Sequence, residues 1–103
     1  MKQDEPFVER TYLLNGTELT CRFYRPVSDG QDFSCRYEIA YPDGLSSRNV
    51  WGVDSIQSLL LAMQSVHADL LLRRERSGLD VRWLDGKELG LPLMGENTAG
   101  SRD

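Results

Sequence analysis

The stretch Asp54–Gly78, DSIQSLLLAMQSVHADLLLRRERSG, decides the fold. Asp54 can accept a hydrogen bond from an orphan N–H of a starting helix, and Gln57, three residues on, can answer it as in a capping box. Ile56, Leu59, Leu60, Met63, Val66, His67, Leu70 and Leu71 then recur at helical spacing and predict one broad apolar stripe set against a core. Arg73, Arg74 and Arg76 fall in the last turns, where cations suit the negative end of the helix dipole. Gly78 supplies a left-handed C-terminal cap over which Leu79 can fold back. About 22 residues at 1.5 Å each make a rod of roughly 33 Å, long enough to cross a whole sheet.

That sheet is predicted by what precedes the helix. Asn15-Gly16, Asp29-Gly30 and Asp43-Gly44 are evenly spaced and separate stretches rich in β-branched and aromatic residues. An Asn or Asp followed by Gly tolerates positive φ, which tight hairpin turns require, so a meander is expected. Its strands read as Phe7–Leu14, Thr17–Pro26, Asp32–Tyr41 and Ser46–Val53, the last with Trp51 and Val53 on one face. At Asn15-Gly16 a two-residue turn would set Tyr12 against Leu19 and Arg10 against Cys21. A three-residue loop would set Leu13 against Leu19 and keep Arg10 out of the core, and is preferred on that ground. Leu19, Cys21 and Phe23 alternate with polar residues, as do Phe33, Cys35, Tyr37, Ile39 and Tyr41. A register with Phe23 opposite Phe33, Cys21 opposite Cys35 and Leu19 opposite Tyr37 gathers six of these on one face. Pro26, with no N–H to give a ladder, suits a strand end. After the helix, Leu79, Val81 and Trp83 mark a short fifth strand. Asp85-Gly86 turns it into the apolar-rich Lys87–Leu93. The reading is therefore α+β: a four-stranded antiparallel meander packed by one long α-helix, with a short fifth strand after it. Residues 1–94 form one domain, and 95–103 are expected to be a disordered tail.

At 103 residues, the chain has room for one core that buries roughly two-thirds of its unfolded surface. Hydrophobic residues at 40% and charged ones at 27% place it in the globular class. Net charge is −4, with 16 acids against 12 Lys and Arg, so no global attraction to nucleic acid or anionic lipid is expected. No secretory signal or bilayer-length apolar run is read. With the two cysteines, that points to a reducing cytoplasm, free thiols and no membrane partner.

Two sequence signatures stand out. One is GVDS at Gly52–Ser55, opening the helix. The other is W-x-x-G-x-x-L-G-x-P, running from Trp83 to Pro92. Together with ERTYLLNG at Glu9–Gly16 and FSCRYEI at Phe33–Ile39, they resemble a family of small bacterial domains of unknown function. The likeness covers nearly the whole chain except the tail. His67 departs from it, since the family has a small residue near that position. The resemblance implies a compact α+β domain and carries over no catalytic or binding residue.

Candidate chemistry is sparse. His67 is the sole histidine, and Asp69 projects from nearly the opposite side of the helix, so no local dyad orients it. Cys21, Cys35 and His67 lack paired C-x-x-C spacing, so no metal site is expected. An apolar sheet face raises a thiol pKa, so a nucleophilic cysteine is not expected either. No phosphate-cradling glycine motif occurs, and no cofactor is expected. Arg22, Arg25, Arg36 and Tyr24 point away from the apolar face, with Arg48 following on the fourth strand. Such a face could bind RNA, but Glu18, Asp32 and Glu38 dilute it.

One feature exceeds a plain core. Leu61, Ala68 and Leu72 form a second apolar helix face, off the main stripe, where a helix packed on one sheet should be polar. Its cover is either the chain itself, through Leu89, Leu91, Leu93 and Met94, or another protein, most simply a second copy. The expected function is thus a non-catalytic cytoplasmic interaction module that self-associates. The alternatives are a small-molecule or enzyme pocket between helix and sheet at His67 with Tyr37 and Cys35, and RNA binding on the arginine-bearing sheet face.

Overall fold

The computed structural model describes residues 5–84 and 86–93. The elements are β1 (Pro6–Leu14), β2 (Thr17–Tyr24), β3 (Val27–Ser28), β4 (Phe33–Tyr41), β5 (Gly44–Gly52), α1 (Ser55–Ser77) and β6 (Val81–Arg82). Every strand pair is antiparallel. β6 borders β1, β1 pairs β2, and β2 pairs β4. β5 runs along the whole of one edge of β4, so β3 and β2 share the other. The class is α+β with one helix, as expected, but the sheet has six strands. The added one arises at Arg25-Pro26, where the ladder breaks. Pro26 offers no N–H, and the chain resumes as β3, one residue out of step with β2.

Two expected registers are corrected. Asn15 and Gly16 both take positive φ, 53° and 84°, and make a tight two-residue turn. It sets Tyr12 opposite Leu19 and Arg10 opposite Cys21, not Leu13 opposite Leu19. Arg10 does face inward, at the rim. There its guanidinium stacks 3.9 Å from the centre of the Trp83 ring and donates to the carbonyls of Leu89 (3.2 Å) and Gly90 (2.8 Å). In the second correction, Phe23 lies opposite Tyr37 and Cys21 opposite Ile39. This register is four residues from the expected one, so the same side chains stay on the same face. The extra residues go into the β3–β4 hairpin, where Asp29 Oδ1 accepts from the backbone N–H of Gln31 and Asp32.

The helix caps form where the sequence puts them. Asp54 accepts from the Gln57 N–H at 2.8 Å, and Gln57 reaches back to the Val53 N–H rather than to Asp54. Gly78 closes the far end at φ 65°. The stripe, however, is rotated from the expected one. Ser58, Ala62, Val66 and Leu70 are fully buried, whereas Ile56 is 75% exposed and Leu60 36%. The cause is a close approach: a Cβ at Gly52 would stand 2.6 Å from the Ser58 backbone N. Gly52 thus seats the first turn of α1 at the Gln57–Ser58 backbone, with Ser58 and Ala62 buried and Ile56 turned outward. α1 then runs back along the β4–β5 hairpin. Arg73, near its end, stacks 3.6 Å over Tyr41 and pairs with Asp43 at 3.5 Å.

The β1–β2 half of the same sheet face is covered by the chain after the helix. β6 docks on β1 through Leu13–Arg82 and Leu14–Val81. Trp83 and Gly86 close a tight turn with paired backbone bonds of 3.2 and 3.1 Å. Leu89 is buried, and Tyr12 Oη donates to its carbonyl at 2.8 Å. Arg74 Nη2 donates to the carbonyls of Val81 and Lys87, tying this segment to α1. Asp85 and the expected tail lie outside the described residues. Gly90, at φ 69°, lies against the Trp83 ring with Arg10 Nη1 only 2.6 Å from where a Cβ would sit. Gly90→Ala should therefore lower stability by about 2–4 kcal/mol, combining steric conflict with a left-handed backbone. Ile56→Ser should stay within about 0.5 kcal/mol of wild type. Urea unfolding of both variants checks the helix orientation and the C-terminal clamp together.

Candidate interaction surface

The helix has three differently covered sides. One packs on the sheet. The second carries Gln64, His67 and Leu71 and lies under the C-terminal segment, which bonds it through backbone carbonyls. His67 Nδ1 sits 3.0 Å from the Pro92 carbonyl, and Gln64 Nε2 donates to Leu93 at 3.5 Å. The third side carries Leu61, Ala68 and Leu72. Ala68 and Leu72 are exposed, Leu72 at 44%, and Leu61 is half-buried. Of the expected cover for this third side, Leu89 and Leu91 pack on the core, while Leu93, 44% exposed, only borders a groove that Ala68 and Leu72 also line; Met94 lies outside the described residues.

Between the third side and β5 runs an open groove of about 230 Å³, lined by Tyr37, Arg48, Ser65, Ala68, Asp69 and Leu72. Arg48 belongs here because it pairs with Tyr37 and so points to the helix side of the sheet. It therefore does not join Arg22, Arg25 and Arg36 on the open face. Among the described residues, no carboxylate lies within ion-pair distance of Arg48. Asp69 accepts from Tyr41 Oη at 2.8 Å. Burial and that bond push the Tyr41 phenol up in pKa.

The residues proposed for a pocket do not share one. His67, buried, lines two grooves of about 510 and 320 Å³, both between α1 and the C-terminal segment. Tyr37 faces the other groove, and Cys35 Sγ is turned to the Tyr24 carbonyl at 3.4 Å. The sequence placed His67 on the sheet-facing stripe. Its real neighbour, the Pro92 carbonyl, lies 25 residues away in the chain and carries no side-chain signal.

On the open sheet face the arginines have partners. Arg22 pairs with Glu9 at 3.2 Å. Arg36 stacks 3.9 Å over Tyr24, whose hydroxyl donates to Glu38, and Arg25 lies over Phe7. Trp51 is 57% exposed on this open side; β5 ends at Gly52, so Val53, also exposed, falls in the bend before the helix and not on the strand face expected for it. Among the described residues, no group of His, Cys, Asp and Glu is placed to hold a metal ion, and no helix is long and apolar enough to cross a membrane.

The geometry defines a small α+β domain whose most open chemistry is a helix side and a strand edge. The chain belongs to the DUF6968 family, a domain of unknown function, whose family model matches residues 8–93. Searches of curated proteins and of solved structures gave no match. The two signatures read earlier acquire physical roles. Gly52 admits the helix and Asp54 caps it. Trp83, Gly86, Leu89, Gly90 and Pro92 build the clamp on Arg10, Tyr12 and His67.

Both thiols are fully buried and free. Burial, reinforced by the Asp69 charge, pushes Cys21 from its ordinary 9.0 up to about 12, and burial pushes Cys35 up to about 11. Raised folded-state values mean that their contribution to stability is whole below about pH 9 and is lost as pH climbs towards 12. A thiol-reactive chromogenic disulfide should therefore titrate neither cysteine in the native protein at pH 8 and both in denaturant. The urea midpoint should fall above pH 9.

Proposed function

We propose that this protein is a non-catalytic, cytoplasmic interaction module of bacterial origin that pairs with a second copy of itself through the Leu61, Ala68 and Leu72 side of α1. The observation that carries the reading is the C-terminal segment. It is the described segment apolar enough to cover that side, yet Gln64 and His67 hold its carbonyls on the neighbouring side, and of its leucines only Leu93 reaches the rim beside Ala68 and Leu72. An apolar strip on a helix is removed from water most simply by its own image across a two-fold axis. The scarcity of assembled chemistry fits the same reading, since buried thiols are poor nucleophiles.

A small-molecule site at His67 is the second reading, favoured by its place on the wall of two grooves. The Pro92 carbonyl already engages Nδ1, and neither Tyr37 nor Cys35 lines either groove, which weakens a catalytic use. RNA binding on the open sheet face has less support, because Arg22, Arg25 and Arg36 are each engaged by a carboxylate or an aromatic ring.

Light scattering across a concentration series tests the proposal. Wild type should approach twice 11.7 kDa. Leu61→Glu combined with Leu72→Glu should hold the protein at the monomer mass with an unchanged circular dichroism spectrum. A wild-type chain of monomer mass at every concentration overturns self-association.

A further inference from the structure

Resting on that reading, we infer that the two copies join through the free edge of β5. Two sheets then become one continuous antiparallel sheet, and the α1 helices lie side by side across the seam.

β5 is nine residues long and, among the described residues, pairs with β4 alone. In the tight hairpin, Tyr41 and Gly44 form the closing bonded pair. Bonded and non-bonded pairs then alternate along the ladder. The N–H and C=O groups of Leu45, Ser47, Asn49 and Trp51 consequently point outward from the sheet. A long edge of this kind is a template for another strand unless it is blunted. Gly44–Gly52 holds no proline or lysine. The opposite edge of the sheet, by contrast, is closed by the two-residue β6 and the segment after it.

Three features fit a second β5 in particular. First, spacing. α1 lies over β4 and β5 alike and runs along their hairpin. Pairing two β5 edges sets the two helix axes two strand spacings apart, about 10 Å, and helices pack at about 8–10 Å. The sheet junction and the helix contact can therefore form at once. Second, pattern. An axis relating antiparallel helices midway along the Leu61–Leu72 face sets Leu61 of one copy beside Leu72 of the other, and Ser65 beside Ala68. Small residues thus meet at the centre and leucines at the ends. The groove brings Ser65 and Ala68 level with Arg48, so the same axis passes near the middle of β5. Third, charge. An axis on Arg48 would oppose two guanidinium groups directly, which is unfavourable. Axes on Ser47 or Asn49 keep the outward groups paired and set Arg48 beside Ser46 or Val50. Arg48, with no carboxylate within ion-pair distance among the described residues, then stands in a seam that also holds Asp69 of the second copy.

Amide hydrogen exchange on the full chain, followed residue by residue from dilute to concentrated protein, tests the inference. Concentration-dependent protection of the Leu45, Ser47, Asn49 and Trp51 amides, with the β4-bonded amides of β5 protected throughout, supports it. A dimer by mass whose four outward amides exchange at one rate at all concentrations overturns the edge junction and leaves helix-mediated pairing standing. A monomer at all concentrations overturns both. Ser47→Pro and Asn49→Pro each remove one outward N–H without touching the β4 ladder. Each should weaken dimerisation at least tenfold, and a folded proline variant at either position that dimerises like wild type also overturns the junction.

Discussion

The contact between Gly52 and the Ser58 backbone is the constraint on which the rest depends. A helix cannot leave the end of β5 and double back along it unless the chain at the crossing is stripped of side-chain bulk. Gly52 provides that on the strand, and Ser58 and Ala62 provide it on the helix. Farther along, Val66 and Leu70 fill the widening gap, each contributing about 1.5–3 kcal/mol by leaving water. The small-to-large order of these four residues fixes both the rotation of the helix and its path along the β4–β5 hairpin.

Two consequences follow from that path. A helix over β4 and β5 cannot cover Tyr12, Leu14 and Leu19 on the other half of the sheet. The chain after Gly78 does so, and its backbone carbonyls are collected by Arg10, Tyr12, Gln64, His67 and Arg74. The same path leaves Ala68 and Leu72, on the helix flank nearest β5, exposed among the described residues. The clamp and the open flank are thus two results of one placement, and the proposed pairing of copies completes on one side what the clamp completes on the other.

Much of this was legible in the sequence. Alternation gave the faces of β2 and β4 correctly, because a shift by an even number of residues leaves facing unchanged. The caps at Asp54 and Gly78 were legible because capping chemistry is local. Registers were less so. Sparing Arg10 from the core argues against the two-residue turn at Asn15-Gly16, yet Arg10 is satisfied by the Trp83 ring and the Leu89 and Gly90 carbonyls, far along the chain, which pairwise reasoning on one hairpin does not contain. Periodicity draws the helix stripe through its largest residues. The sheet in fact selects Ser58 and Ala62, and the seat of the first turn shows only once Gly52 is known to lie against the Gln57–Ser58 backbone. On the surface, Leu61, Ala68 and Leu72 were visible from periodicity. The edge of β5 and the inward aim of Arg48 depend on which strand ends the sheet, a fact of topology.

The most direct test of the helix seat is a proton–proton Overhauser spectrum of the labelled protein in solution. A strong cross-peak between the Gly52 Hα protons and the Ser58 amide, with the Ala62 methyl close to the sheet and the Ile56 methyls showing none to it, is the predicted result. Strong cross-peaks from the Ile56 and Leu60 methyls to β4 or β5, with none between Gly52 and Ser58, would contradict it.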